Sequence, residues 1–210
     1  MFEADSLPRP WVTHCNRLDE VWVPSQWQKD TFIASGVHAD KLVVMPEAVD
    51  VRFFDPLKTT PIPLPGTSLD GMARDDPSRP YTFISVFKME DRKGWKELVT
   101  AYLAEFEGME GVLLVLRTYL HRAGDSGNVD DKEEMLSQIY KYAADAIGWS
   151  EDDGRAWPPI EIIVGQIPSH MLPGMYLNAD AFVLPTHGEG WGLPTMEAMA
   201  MGLPVISTNR

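Results

Sequence analysis

The chain has 210 residues, 44% hydrophobic and 23% charged, with a formal net charge of −13 at pH 7. That length holds one large domain, or one domain and part of another. The acidic balance disfavours nonspecific binding to nucleic acid or to an anionic membrane, although a few placed cations or backbone amides can still hold an anionic small ligand. With a single cysteine, Cys15, neither an intramolecular disulfide nor a multi-thiolate metal site can form, which fits a reducing compartment. The opening MFEADSLPRP lacks the basic-then-apolar order of a signal peptide. No apolar run approaches the ~20 residues of a membrane span. A soluble, cytoplasmic protein without a transmembrane segment is expected.

In chain order, 19–25 (DEVWVPS) reads as a buried strand ending in a polar turn. Ser25 can cap a helix over 26–35, which Gly36 can stop, and 41–49 (KLVVMPEAV) reads as a second strand. A lone β-α-β unit cannot bury its own sheet faces, so 1–49 looks like the tail of a domain. Residues 54–80 carry Pro56, Pro61, Pro63, Pro65, Pro77 and Pro80 among threonines, serine and glycine, and 50–80 reads as a proline-rich interdomain linker or surface loop. The pattern then turns regular. A strand over 81–87 leads to a helix whose Trp95, Leu98, Val99, Tyr102, Leu103 and Phe106 share one face. A strand over 111–120 leads to a helix over 130–147 with Met135, Leu136, Ile139, Ala143, Ala146 and Ile147 inward. Strands over 160–165, 181–186 and 204–208 follow, with a short helix near 169–178 and another from about Pro194. Nearly continuous apolar strands alternating with helices predict a parallel sheet covered on both faces, a doubly wound Rossmann-like α/β domain over 81–210. Ligands of such sheets bind beyond the carboxyl ends of the strands. The loops after Phe87 and after Thr186 lie there.

In the second of these loops, Gly188, Gly190 and Gly192 remove side chains and open unusual backbone conformations. Pro194 suits a first helical turn. A glycine loop running into a helix start is a cradle for an anion, most often phosphate. Glu197, placed in the first turn of that helix, and Glu189, on the strand side of the loop, are acceptors suited to a ligand with a diphosphate and hydroxyl groups, or else a helix-stabilising and a solvated surface charge. The apolar, methionine-rich run behind them ought to be buried. In the first loop Lys88 stands at a strand end, Arg92 and Lys93 come next, and Gly94 opens a helix. These cations can neutralise a diphosphate, or can simply form an exposed basic turn paired with Glu90 and Asp91. His187 can donate to phosphate or be incidental, and Trp191 packs under the loop or touches ligand. His14, His38, His121 and His170 have no interpretable context. The acidic pairs Asp130–Asp131 and Asp152–Asp153 lie in polar loops or at a helix start, and no metal is implied.

The stretch EGWGLPTMEAMAMGLPVIST resembles the nucleotide-binding signature of the retaining glycosyltransferases of family 4, which have the GT-B fold. The family pattern is Glu, seven residues, Glu, with glycine, aromatic, glycine and leucine after the first. Glu-Ala-Met-Ala, a variable residue, Gly, a variable residue and Pro-Val-Ile complete it. Glu189, Gly190, Trp191, Gly192, Leu193, Glu197, Ala198, Met199, Ala200, Gly202, Pro204, Val205 and Ile206 all fit. Lys88 and Lys93-Gly94 resemble the family's basic strand end and following Lys-Gly, with lysine where an arginine is more usual. VWVPSQWQKDTFIASGV and VVMPEAVD resemble the end of the family's first domain.

The resemblance implies transfer of a sugar from a nucleotide diphosphate sugar, UDP- or GDP-linked, to a glycan, lipid or small-molecule acceptor with retained anomeric configuration. It makes Lys88 and Lys93 the holders of the donor diphosphate, Glu197 the ribose acceptor and Glu189 the donor-sugar contact. The amides of Trp191, Gly192 and Leu193 would hold sugar and phosphate. Glu189, Lys93 and Lys88 would carry the catalysis, with no cofactor and no metal. The glutamates are then not the acid and nucleophile of a glycosidase. The resemblance further implies a fragment: the acceptor-side domain would precede residue 1, more of the donor domain would follow Arg210, and the missing remainder would be a partner. The alternative is a noncatalytic or truncated sugar-nucleotide-binding module. A dinucleotide oxidoreductase is rejected, because the glycines lack the Gly-x-Gly-x-x-Gly spacing.

Overall fold

A computed structural model describes residues 4–64, 67–121, 128–129, 131–150, 154–164 and 167–209. The chain folds into two compact units, Met1–Val49 with Gly188–Gly192, and Asp50–His187 with Leu193–Arg210. Asp130, Asp152 and Asp153 lie outside the described residues.

The first unit begins with a helix that the sequence pattern does not announce, α1 (Arg9–Cys15), started by Pro8 and Pro10. It is followed by β1 (Val21–Val23), α2 (Gln26–Ala34) and β2 (Leu42–Val44). The strands pair in parallel from Val21 against Leu42 to Val23 against Val44. Ser25 caps α2, its hydroxyl accepting from the Gln28 N–H at 3.2 Å. Gly36, at φ +108°, turns the chain out of the helix. Leu7, Val23, Phe32, Val37 and Leu42 form its core.

The second unit carries a five-stranded parallel sheet. Its strands are β3 (Tyr81–Val86), β4 (Val112–Arg117), β7 (Ile160–Ile163), β8 (Ala181–Leu184) and β9 (Val205–Ser207) in the order β7-β4-β3-β8-β9. The helices are α3 (Trp95–Glu105), α4 (Lys132–Ile147), α5 (Leu172–Tyr176) and α6 (Leu193–Ala200). A small antiparallel pair, β5 (Leu120–His121) and β6 (Asn128–Val129), comes after β4. Leu114, Val115 and Leu116 of β4 are wholly buried, as continuous apolar strands require when both sheet faces are covered. The chain grows from β3 outward to β4 and β7, then returns to lay β8 on the other side of β3. The strand order therefore reverses between β3 and β8, and their carboxyl ends frame the crevice where doubly wound sheets bind ligands.

Three expectations change. Residues 50–80 form no helix or strand among the described residues, yet they belong to the second unit instead of linking two domains. Phe54, Leu64 and Leu69 are buried. The Ile62 N–H donates to the Gly174 carbonyl at 3.3 Å, and the Ser68 N–H donates to Glu161 at 2.9 Å. Arg74 and Arg79 pair with Asp180, which also accepts from the Thr82 N–H at 2.8 Å. Prolines preclude regular ladders, but they do not stop apolar side chains from packing. Secondly, Ala146 of α4 is exposed, because the buried stripe Met135, Ile139, Ala143 does not extend into the last turn. Thirdly, α6 is not buried throughout: Ala198 and the following Met201 are inward, whereas Leu193 and Met199 are 40% and 57% exposed. An eight-residue helix over the edge strand β9 presents one stripe to the sheet, and apolar composition on the other face does not alter that.

Candidate functional site

After β3 the chain passes through Lys88 and a 3₁₀ turn (Asp91–Lys93) to Gly94, whose φ of +69° and ψ of 25° start α3. The loop is fastened on both sides. The Phe87 and Met89 N–H groups donate to the carbonyls of Arg117 and Tyr119, each at 3.1 Å. The Arg92 carbonyl accepts from the His187 N–H at 2.8 Å and from the Thr186 hydroxyl at 3.1 Å. The loops after β3 and β8 are thus bonded to one another at the reversal point of the sheet.

An open cavity of about 510 Å³ lies at this end. Lys88, Arg92, Lys93 and Arg117 line it together with Glu90, Tyr119, Leu172 and Pro194. Lys88 Nζ stands 2.5 Å from one Glu90 oxygen and Arg92 Nη2 stands 3.6 Å from the other. The Lys88 ammonium bonded to it holds the Glu90 carboxyl below the ordinary glutamate range, against a smaller opposing effect of burial. Glu90 is therefore ionised at neutral pH and occupies cations that an entering polyanion would otherwise meet. Among the described residues that line the cavity, four are cationic and one is a carboxylate, in a chain whose net charge is −13.

The expectations for Lys88 and Lys93 converge here, and Pro194 brings the start of α6 to the same cavity. Glu197 does not line it. Glu197 is the fifth residue of α6, whose first turn holds no acidic residue, because the helix begins at Leu193. Placing it in the first turn is thereby corrected. It stands three positions after Pro194, hence on the same face one turn deeper. Its Oε2 accepts from the Tyr176 hydroxyl at 2.7 Å. Burial pushes its carboxyl up from the ordinary value, with the Tyr176 hydrogen bond opposing.

Glu189, Gly190, Trp191 and Gly192 belong to the first unit. Glu189 is half-buried there. Trp191 is half-buried too, its indole N–H enclosed and without a hydrogen-bond partner among the described residues. Of the three loop glycines only Gly192 has a positive φ, +78°, so the left-handed freedom is used once. The His187 ring meets Glu97 of α3 at 3.1 Å.

Sequence reasoning missed Arg117, Tyr119, Leu172 and Tyr176. Arg117 was within reach of the strand-end rule, but reading the strand to 120 puts it mid-strand, whereas β4 ends there. Nothing in the local pattern marks Tyr176, whose partner lies 21 residues away. Among the described residues no three His, Cys, Asp or Glu side chains gather in one place, and no helix is long and apolar enough to cross a membrane.

The fold recurs in known proteins. The chain superposes over 95% of its length on 47% of Anabaena Alr3699/HepE, solved in complex with UDP and glucose, with a TM-score of 0.66 at 16% identity. It superposes over 94% of its length on 42% of the sucrose-phosphate synthase of Thermosynechococcus elongatus, with a TM-score of 0.61 at 23% identity. The fold is that of the GT-B glycosyltransferases. Residues 162–210, which include β8, its loop and α6, match the family described as glycosyl transferases group 1. A 70-residue stretch is 46% identical to the O-antigen chain mannosyltransferase B of Escherichia coli, covering 30% of this chain and 18% of that protein. The chain thus spans about half the length of these solved structures, and its match to the curated relative spans less than a fifth of that protein.

Proposed function

We propose that this chain is the nucleotide-sugar-binding part of a glycosyltransferase that moves a hexosyl group from a UDP- or GDP-sugar to an acceptor, with retention of anomeric configuration and without a metal. The observation that carries this reading is the set of four cations around one cavity at the reversal point of a GT-B sheet, next to the segment that matches the glycosyl transferases group 1. Lys88 and Lys93, with Arg92 and Arg117 beside them, hold the diphosphate. As the glycosidic bond breaks, negative charge grows on the leaving diphosphate, and cations already fixed in place stabilise it without reorganising. Glu197 accepts from the ribose hydroxyls. Glu189 contacts the donor sugar, and the amides of Trp191, Gly192 and Leu193 hold sugar and phosphate. A cytoplasmic location belongs to the same proposal, and the single cysteine is compatible with it.

The Escherichia coli relative is a mannosyltransferase and Alr3699/HepE was solved with UDP, which supports hexosyl transfer and a nucleoside diphosphate leaving group. The test is a thermal-shift panel of UDP, GDP, ADP and their sugars on the 210-residue chain and its Lys93→Ala variant. A parallel transfer assay reads the product anomer by NMR. One uridine or guanosine diphosphate should stabilise the wild type and lose roughly tenfold or more in affinity in Lys93→Ala, as for a charged hydrogen bond lost. Stabilisation by no nucleotide refutes the reading. Binding without turnover supports a sugar-nucleotide module whose transfer needs further polypeptide.

A further inference from the structure

Tyr176 is wholly buried at the end of α5 and is unused by the reading above. Its ring meets Phe54 of the 50–80 segment edge-on at 6.3 Å and Phe182 of β8 at 6.2 Å. The segment clamps the helix that bears it. A Cβ on Gly174 would lie 2.6 Å from Ile62 Cγ2 and 2.7 Å from the Thr60 carbonyl oxygen, so the strap rests directly on the α5 backbone. The Asn178 side-chain amide donates both to the Gly174 carbonyl at 3.2 Å and to the Ile62 carbonyl. The ring is buried between these contacts, and its hydroxyl donates to Glu197 Oε2 at 2.7 Å. The other carboxylate oxygen, Oε1, has no partner among the described residues and is not enclosed.

We propose that Tyr176 is a positioning residue of the nucleotide site: its hydroxyl pins one oxygen of Glu197 and turns the other toward the ribose hydroxyls of the bound nucleotide. The strap then acts at the site from a distance, because it is what fixes the tyrosine. This rests on the ribose role proposed for Glu197. A buried phenol satisfied by any nearby acceptor would look similar in outline, but it would not set the ionisation of a ligand-binding group. Here the two influences on the Glu197 carboxyl are burial, which pushes it up, and the Tyr176 hydrogen bond, which holds it down. No other titratable or charged group on α5, β8 or the strap acts on it among the described residues. Burial and then Glu197 keep the phenol far above its ordinary value, so it remains a donor throughout.

The experiment measures binding of the nucleoside diphosphate that stabilises the wild type, and of its 2′,3′-dideoxy analogue, between pH 5 and 8. The proteins are the wild type, Tyr176→Phe and Glu197→Gln. In Tyr176→Phe the ribonucleotide should bind roughly tenfold more weakly, the dideoxy analogue should bind unchanged, and the acid limb of ribonucleotide binding should move to higher pH. If Glu197→Gln removes the preference for ribose while Tyr176→Phe keeps both the affinity and the acid limb of the wild type, the positioning role is overturned and the ribose assignment stands. If Glu197→Gln keeps the preference for ribose, the ribose assignment fails and the positioning role with it. Should Tyr176→Phe not fold, Phe54→Leu loosens the ring and leaves the hydroxyl. The same two readouts should then move the same way by a smaller factor, and unchanged readouts overturn the proposal.

Discussion

Gly94 joins the cationic loop to α3, and the structure assigns a cost to any side chain there. A Cβ would stand 2.7 Å from the carbonyl carbon of Pro185, with the carbonyl oxygen nearer still, and real Cβ atoms essentially never come within 3.0 Å of such neighbours. Both partners are backbone, so no rotamer relieves the clash and the loops after β3 and β8 must part. Parting them strains or breaks the bonds from the His187 N–H (2.8 Å) and the Thr186 hydroxyl (3.1 Å) to the Arg92 carbonyl, together about 2 kcal/mol. Alanine in the left-handed region adds about 1 kcal/mol. Gly94→Ala should therefore cost about 3 kcal/mol, or roughly 6–12 °C in melting temperature for a chain of this size. Gly108→Ala is the control: its φ is +75° and its Cβ would meet nothing within 4 Å, so it reports the left-handed cost alone, about 1 kcal/mol. Urea unfolding of the three proteins compares them. Gly94→Ala costing no more than Gly108→Ala would refute the reasoning that close approach of the two loops builds this site.

Removing the carboxylate that occupies the cations should help an anionic ligand, so Glu90→Gln should raise nucleoside diphosphate affinity up to about fivefold, as for a partly exposed ion pair. Calorimetry at two salt concentrations checks it, and weaker binding would mean that Glu90 organises the loop instead of competing. Glu197 holds its proton more tightly in the fold than an ordinary glutamate, so its ionisation opposes folding at neutral pH. Glu197→Gln should thus melt higher at pH 7, and the difference should vanish as pH falls below the ordinary value of 4.5, where the wild type is itself neutral. A difference independent of pH would contradict the assigned cause. Asp180→Ala leaves the guanidinium of Arg79, 3% exposed, without its carboxylate, and should cost about 3 kcal/mol in urea unfolding. A loss below about 1 kcal/mol, as for a surface pair, would show the strap clamp to be dispensable.

The local signals that proved legible are those whose physics is local. Ser25 and Gly36 bound α2 because a hydroxyl cap and a left-handed glycine act within one turn. The apolar runs of β3, β4 and β8 announce burial on both faces, and alternation with helices announces parallel pairing. Lys88 and Lys93 were legible because the carboxyl end of a strand delivers the next few residues to the ligand side of the sheet. The boundary of β4 was not, and with it Arg117 was passed over, since an apolar run does not state where its ladder stops. The proline-rich segment shows the opposite failure. Its composition describes backbone freedom, whereas Phe54, Leu64 and Leu69 act through neighbours far along the chain.

The sequence by itself determined the alternation of strands and helices, the glycine loop before α6 and the cations after β3, because each depends on residues close together in the chain. Only the tertiary structure decided the strand order that puts the reversal between β3 and β8, the bond between the two loops at Arg92, and the partner of Glu197. Those depend on contacts across roughly 20 to 100 residues of chain, where closing the loop costs entropy that only the assembled core repays. Glu197 is the sharpest instance: its place in a motif is written in the chain, but its hydrogen-bond partner is a tyrosine that no motif names.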